Sequence, residues 1–262
     1  MKFQPKLALI TGASHGIGTE FARILASQKV SLILTGRDEK ALISLKKELD
    51  TLYGIQSWIY AADLSLSEQV QSLINYTQSQ GLEVDFLINN AGFGHNQLFA
   101  DSDSQIQLDM IDVNIKALTL LTHHYIQNMT QKGEGRILQV ASTAAFQPGP
   151  GMAVYYASKA FVLRFSEALN FELGKKSNVR VTALCPGPTE SEFFKTAGLT
   201  KSNLSTKMKL PTAREVAQKG IDAALKGKAV VIHGLMNAFF ARTVNIYPRT
   251  WVLKAIQWLH GY

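Results

Sequence analysis

Apolar and polar positions along this chain repeat with two different periods, and the switches between them lay out the fold. Apolar runs of strand length fall at residues 6–10, 30–35, 55–61, 84–89, 136–141, 179–185 and 229–232. Between them, apolar residues recur three and four apart, the spacing of amphipathic helices. These helical stretches are 16–28, 39–52 and segments near 67–80, 104–131, 152–174 and 212–226. Leu42, Leu45 and Leu49 share one face of the second helix, and Thr212-Ala213-Arg214-Glu215 spells a capping box at the start of the last. Strands alternating with helices predict βαβ units. The expected architecture is α/β: one doubly wound domain, a central parallel sheet of about seven strands, and helices on both faces.

Composition adds bounds to this picture. At 262 residues, 46% hydrophobic and 18% charged, the chain suits a single globular domain with one sizeable core. No linker composition or internal repeat divides it, so residues 1–233 are expected to form the body and 234–262 a helical extension of the same domain. The only cysteine, Cys185, excludes an internal disulfide framework and a Cys-based metal site. The apolar run after Lys6 is too short for a signal peptide, and no stretch reaches the ~20 apolar residues of a membrane span. A cytoplasmic location is the expectation. The formal charge of +7 is unevenly placed: residues 1–200 hold 17 Lys+Arg and 18 Asp+Glu, residues 201–262 hold 10 and 2. The basic character therefore belongs to the last quarter, where a Lys-rich solvated surface explains it without nucleic acid.

In doubly wound folds ligands bind beyond the carboxyl ends of the strands. Directly after the first strand stands Thr11-Gly12-Ala13-Ser14-His15-Gly16-Ile17-Gly18. Glycines there let the backbone turn tightly and approach a pyrophosphate, while the next helix offers free N–H groups and a positive dipole end. A second pattern lies in Tyr155-Tyr156-Ala157-Ser158-Lys159. Tyr155 and Lys159, at i and i+4, stack one turn apart, so the ammonium is expected to lower the phenol's pKa. Tyr156 lacks that lysine and faces elsewhere on the helix.

The glycine spacing, Gly-x3-Gly-x-Gly, resembles that of the short-chain dehydrogenase/reductase family, in a branch near the ketoacyl and hydroxysteroid reductases. The resemblance extends through Asp63-Leu64, Asn89-Asn90-Ala91-Gly92, Asn114, Ser142, the Tyr155–Lys159 pair and Cys185-Pro186-Gly187-Pro188-Thr189. It implies a Rossmann domain using NAD(P)(H) to interconvert a ketone or aldehyde and an alcohol. It implies Asn114, Ser142, Tyr155 and Lys159 as catalytic residues: Tyr155 as general acid or base, Ser142 orienting the carbonyl oxygen, Lys159 tuning the Tyr and holding the ribose, Asn114 holding a relay water. Cofactor contacts implied by the match are Gly12, Ser14, His15, Gly16, Ile17, Gly18, Arg37, Asp63, Leu64, Asn90, Ala91, Gly92, Tyr155, Lys159, Pro186, Gly187 and Thr189. Arg37 precedes Asp38 after the second strand, which favours NADP(H) over NAD(H).

The resemblance also implies a lid over 189–211 and a cleft lined by Phe93, Phe146, Met152, Phe193 and Phe194, hence a hydrophobic carbonyl substrate. Relatives pair through the helices here at 104–131 and 152–174, implying a homodimer or homotetramer. A catalytically silent NAD(P)-binding sensor or scaffold is the alternative, against which the intact relay residues count. Zinc chemistry is disfavoured, because the histidines are scattered and His123-His124 point apart on a helix. Residues 234–262 read as basic, aromatic-rich amphipathic helices broken at Pro248. Packing on the body or on a second subunit is expected for them, with capping of the substrate cleft an alternative and membrane contact a lesser one.

Overall fold

The apolar runs become seven strands: β1 (Leu7–Thr11), β2 (Ser31–Gly36), β3 (Ser57–Ala61), β4 (Phe86–Asn89), β5 (Glu134–Val140), β6 (Asn178–Cys185) and β7 (Val230–Ile232). All pair in parallel, in the order β3-β2-β1-β4-β5-β6-β7. The structure is a computed structural model that describes residues 3–174, 177–190, 192–200, 202 and 210–260. The helices are α1 (Gly16–Ser27), α2 (Glu39–Tyr53), α3 (Ser67–Ser79), α4 (Ser104–Ile111), α5 (Leu118–Lys132), α6 (Ala153–Gly174), α7 (Phe193–Thr196), α8 (Ala213–Leu225), α9 (Leu235–Thr243) and α10 (Arg249–His260).

Parallel strands are covered on both faces, which is why their sequences are apolar throughout instead of alternating. Successive side chains still point to opposite faces. Ala8 and Ile10 of β1 pack with Phe21 and Leu25 of α1, Leu42 of α2 and Ile221 of α8. Leu7 and Leu9 pack on the other face with Leu73 of α3 and Tyr125 of α5. Helix ends follow local chemistry: Asp38 caps α2 by accepting from Ala41 N at 3.0 Å, and the capping box of Thr212 and Glu215 starts α8.

One predicted element differs. The periodicity over 104–131 predicts a single helix, but α4 and α5 are joined by a π-helical turn, Asp112–Ala117. That wide turn carries Asn114, whose carboxamide is bound at both ends to the backbone of Phe93. Those partners come from the loop after β4, outside the reach of any local pattern.

From β1 the chain winds outward through β2 and β3; from β4 it winds the other way through β5, β6 and β7. The reversal leaves a crevice beyond the carboxyl ends of β1 and β4. The glycine turn and the Asn90 loop meet there.

Candidate active site

Asn90 ties the two loops together. Its Nδ2 donates to Thr11 O at 3.0 Å and to Gly12 O at 3.1 Å, while the N–H groups of Asn90 and Ala91 donate to Thr11 Oγ1 at 3.0 and 2.9 Å. Behind them, Asn89 Nδ2 donates to Thr122 Oγ1 and Gln139 Oε1, each at 3.0 Å, in a buried network that links β4, β5 and α5. The turn can then approach closely. A Cβ on Gly18 would stand 2.0 Å from Gly12 O, so the strand–helix contact is open only to glycine. The first turn of α1 has no acidic residue and no side-chain cap from His15, which leaves its N–H groups available to an anion.

A cavity of about 950 Å³ opens over these loops. Gly12, Ser14, His15, Gly16, Ile17 and Arg37 line one end, and Asn90, Ala91, Gly92, Ser142, Tyr155 and Lys159 line the middle. Pro186, Gly187 and Thr189 line it from the β6 side. Gly18, Asp63, Leu64 and Asn114 lie outside the lining. Gly18 packs behind the turn. Asp63 Oδ1 accepts from Ser65 N and Oγ at 2.9 and 2.8 Å, and the Leu64 side chain is buried with Val70 and Leu73. Asn114 stands one layer back, with Nδ2 donating to Phe93 O and Ser158 Oγ, both at 3.0 Å.

Tyr155 and Lys159 both lie on the inward face of α6 and are buried. The expected lowering of the Tyr155 pKa is corrected here. Burial pushes the phenol up to about 12, and its hydrogen bond with Ser142 pulls back only part of that rise. The ammonium that was expected to lower it donates to Val140 O at 2.8 Å and stands 5.8 Å from the Tyr155 ring centre. Burial brings Lys159 down to about 8, against a smaller opposing pull from the Cys185 thiol. Desolvation is the largest cause for both groups, and neither shift draws on the other member of the pair. Ser142 Oγ meanwhile accepts from Ala144 N at 3.1 Å and reaches Pro186 O at 3.5 Å.

Gly92 separates Lys159 from Asn114. The point where its Cβ would sit is 2.9 Å from Asn114 Oδ1 and 3.2 Å from Lys159 Nζ, so glycine leaves these polar atoms facing one small space. At the end near β2, Asp38 is occupied as the α2 cap and lies 3.3 Å from His15 Nε2, while Arg37 is exposed and forms no ion pair among the described residues. His15 Nδ1 lies 3.7 Å from Glu192 on the far side.

The remaining wall is apolar. Phe93, Met152 and Phe193 line it, with the Phe193 ring 5.2 Å from that of Tyr155. Phe146 does not: it packs beside Ala145 and Val162 in the core under α6. The Phe194 side chain and residues 191, 201 and 203–209 of the expected lid lie outside the described residues. Helices α9 and α10, for which capping the cleft is among the expected placements, supply the roof. Phe240, Trp251, Val252, Ile256 and Leu259 from α9 and α10 close the cavity opposite Tyr155. Tyr156 also lines the cavity, but its hydroxyl is bound to α10, 2.9 Å from His260 Nε2. His260 Nδ1 is 2.9 Å from Pro150 O, an acceptor only, so Nδ1 carries the proton and Tyr156 donates. Residues 104 apart make this contact, and no sequence spacing signals it.

A glycine turn at the switch point of a doubly wound sheet, with a buried phenol and amine in the same crevice, defines a dinucleotide-binding oxidoreductase. The short chain dehydrogenase family model matches residues 6–202, and the chain belongs to that family, whose members are dehydrogenases and reductases of alcohol and carbonyl groups. It is 39% identical to sulfoacetaldehyde reductase 2 of Chromohalobacter salexigens over 71% of this chain and 74% of that protein. It is 34% identical to an 11-beta-hydroxysteroid dehydrogenase of Pinus massoniana over 72% of this chain, but only 52% of that protein. Among solved structures it resembles a short-chain dehydrogenase from Sphingobium yanoikuyae in complex with NADPH, with TM-score 0.82 and 28% identity over 92% of this chain and 94% of the other.

Proposed function

We propose that the protein is an NADP(H)-dependent reductase of a bulky, hydrophobic ketone or aldehyde, with Tyr155 as its general acid. The observation that carries this reading is the buried Tyr155–Lys159 pair lining, with Ser142, a cavity that also holds the glycine turn. The residues around the crevice suit a dinucleotide: the glycines leave backbone room, and the uncapped α1 terminus presents N–H groups to a pyrophosphate. When bound, such a cofactor supplies or accepts the hydride. Tyr155 Oη, raised to about 12, stays protonated at neutral pH and can give its proton to the carbonyl oxygen of the substrate. Ser142 Oγ orients that oxygen by donating a second hydrogen bond. Lys159 stabilises the tyrosinate left behind, and the space between Asn114 Oδ1 and Lys159 Nζ suits a water that returns the proton.

NADP(H) is favoured over NAD(H) because Arg37 is uncommitted at the cavity while Asp38 is committed to capping α2. Substrate class follows from the wall of Phe, Met, Trp and Ile side chains facing Tyr155. Pairing of two copies through α5 and α6 is supported by Leu120 and Phe161, which α5 and α6 leave exposed. A panel of ketones and aldehydes, run with NADPH and NADH and followed by absorbance, tests the reading. Turnover of bulky apolar ketones with NADPH is expected. Equal turnover with NADH would remove the role given to Arg37, and no turnover of any carbonyl compound would remove the proposal.

A further inference from the structure

Helices α9 and α10 use only one side of themselves on the body. Ala241, Val252, Ile256 and His260 are buried against it. Their outer side carries Leu235, 92% exposed, and Ile246, 80% exposed, with Met236, Phe239, Phe240 and Trp251 more than half exposed around them. Such a patch is larger than isolated surface apolar residues and marks a binding face. The charge around it has one sign. Arg242, Arg249 and Lys254 are exposed there, and no Asp or Glu occurs anywhere in residues 223–262.

We propose that α9 and α10 dock the protein on a lipid bilayer bearing anionic headgroups, with the mouth of the cavity turned toward the lipid. Short helices with an apolar face and flanking Arg and Lys lie in the headgroup region without crossing it, and no described helix is long and apolar enough to cross. Trp251 and Tyr247 have amphipathic rings of the kind that favour the interface. Self-association through this patch fits the charges less well, because a two-fold contact would set Arg242, Arg249 and Lys254 of one copy against the same cations of the other. Met236, Phe240 and Trp251 both line the cavity and reach the surface, so the cavity opens within the patch. Docking would therefore give an apolar substrate a path from the bilayer. That last step rests on the reductase reading; the docking does not.

Co-sedimentation of the full chain with vesicles of phosphatidylcholine alone, or mixed with phosphatidylserine, tests this directly. Each basic side chain near an anionic surface strengthens partition about fivefold, so three predict a preference for the mixed vesicles on the order of a hundredfold. The variant L235S/F239S/I246S should lose binding to both, and R242E/R249E/K254E should lose the preference for the mixed vesicles. None of these six residues lines the cavity, so turnover of a water-soluble ketone reports that each variant is folded. Wild type left in the supernatant with mixed vesicles would overturn the proposal, as would unchanged binding by the apolar triple variant. Light scattering without vesicles decides the rival: a fall in mass for the apolar triple variant would assign the patch to a second copy. Carbonyl reduction is assayed separately, so its absence would leave the docking result standing, and the reverse.

Discussion

Burial changes the chemistry of Lys159 by taking its amine out of water. Its amine has a pKa near 8 in the folded chain against about 10.5 for an ordinary lysine, so between those values the unfolded chain binds more protons. Stability contributed by this residue therefore rises with pH across that window and is least below pH 8. Lys159→Met should raise the melting temperature by roughly 5 °C at pH 7, with the gap closing toward pH 10; a gap that widens with pH would show that the amine is not desolvated. Tyr155 poses the complementary question. Tyr155→Phe keeps the ring and its packing on Phe193 but loses the proton, so turnover should fall 10²–10⁴-fold, on the order seen for general acids, while cofactor affinity by fluorescence titration changes little. Arg37→Ser should weaken NADPH binding about tenfold or more and leave NADH nearly unchanged, as expected for one charge-assisted contact. Of these residues the identities are legible in the chain, because each stands directly after a strand or one turn from its neighbour. Their proton affinities are not, because desolvation depends on what other segments cover them.

Elements repeat this division. The strands are legible because parallel strands must be apolar on both faces, and the helices because their apolar positions recur at 3.6 residues. The α8 cap is legible since Thr212 and Glu215 lie within one turn. The π turn at Asn114 is not, for its cause is the Phe93 backbone 21 residues away. Nor is the docking of α10, which joins the packing of Val252 and Ile256 to two long-range hydrogen bonds of His260. Tyr156→Phe removes the donor and strands His260 Nε2 in a buried site, a loss of roughly 1–3 kcal/mol. Hydrogen exchange should then quicken in α10 while β1, β4 and β5 keep their protection. Uniform protection across the chain would mean that apolar contacts alone hold the helix.

For the whole molecule, the uneven charge acquires a location. Residues 1–200, near neutral in sum, carry most of the sheet and the dinucleotide crevice, and Arg242, Arg249 and Lys254 flank the apolar roof of the cavity. An apolar cavity roof and an exposed apolar surface thus fall to the same two helices. The sequence by itself determined the doubly wound sheet and its strand-end residues, because periodicity and turn chemistry are local properties that survive without the rest of the chain. It also placed Tyr155 and Lys159 on one helix face, since four residues span one turn. Only the tertiary structure decided that this pair is ruled by desolvation, that Gly92 opens a space between Lys159 and Asn114, and that α9 and α10 roof the cavity with their outer side bare. Those outcomes depend on which distant segments come within a few ångströms of one another, and distance in space is what a linear pattern does not carry.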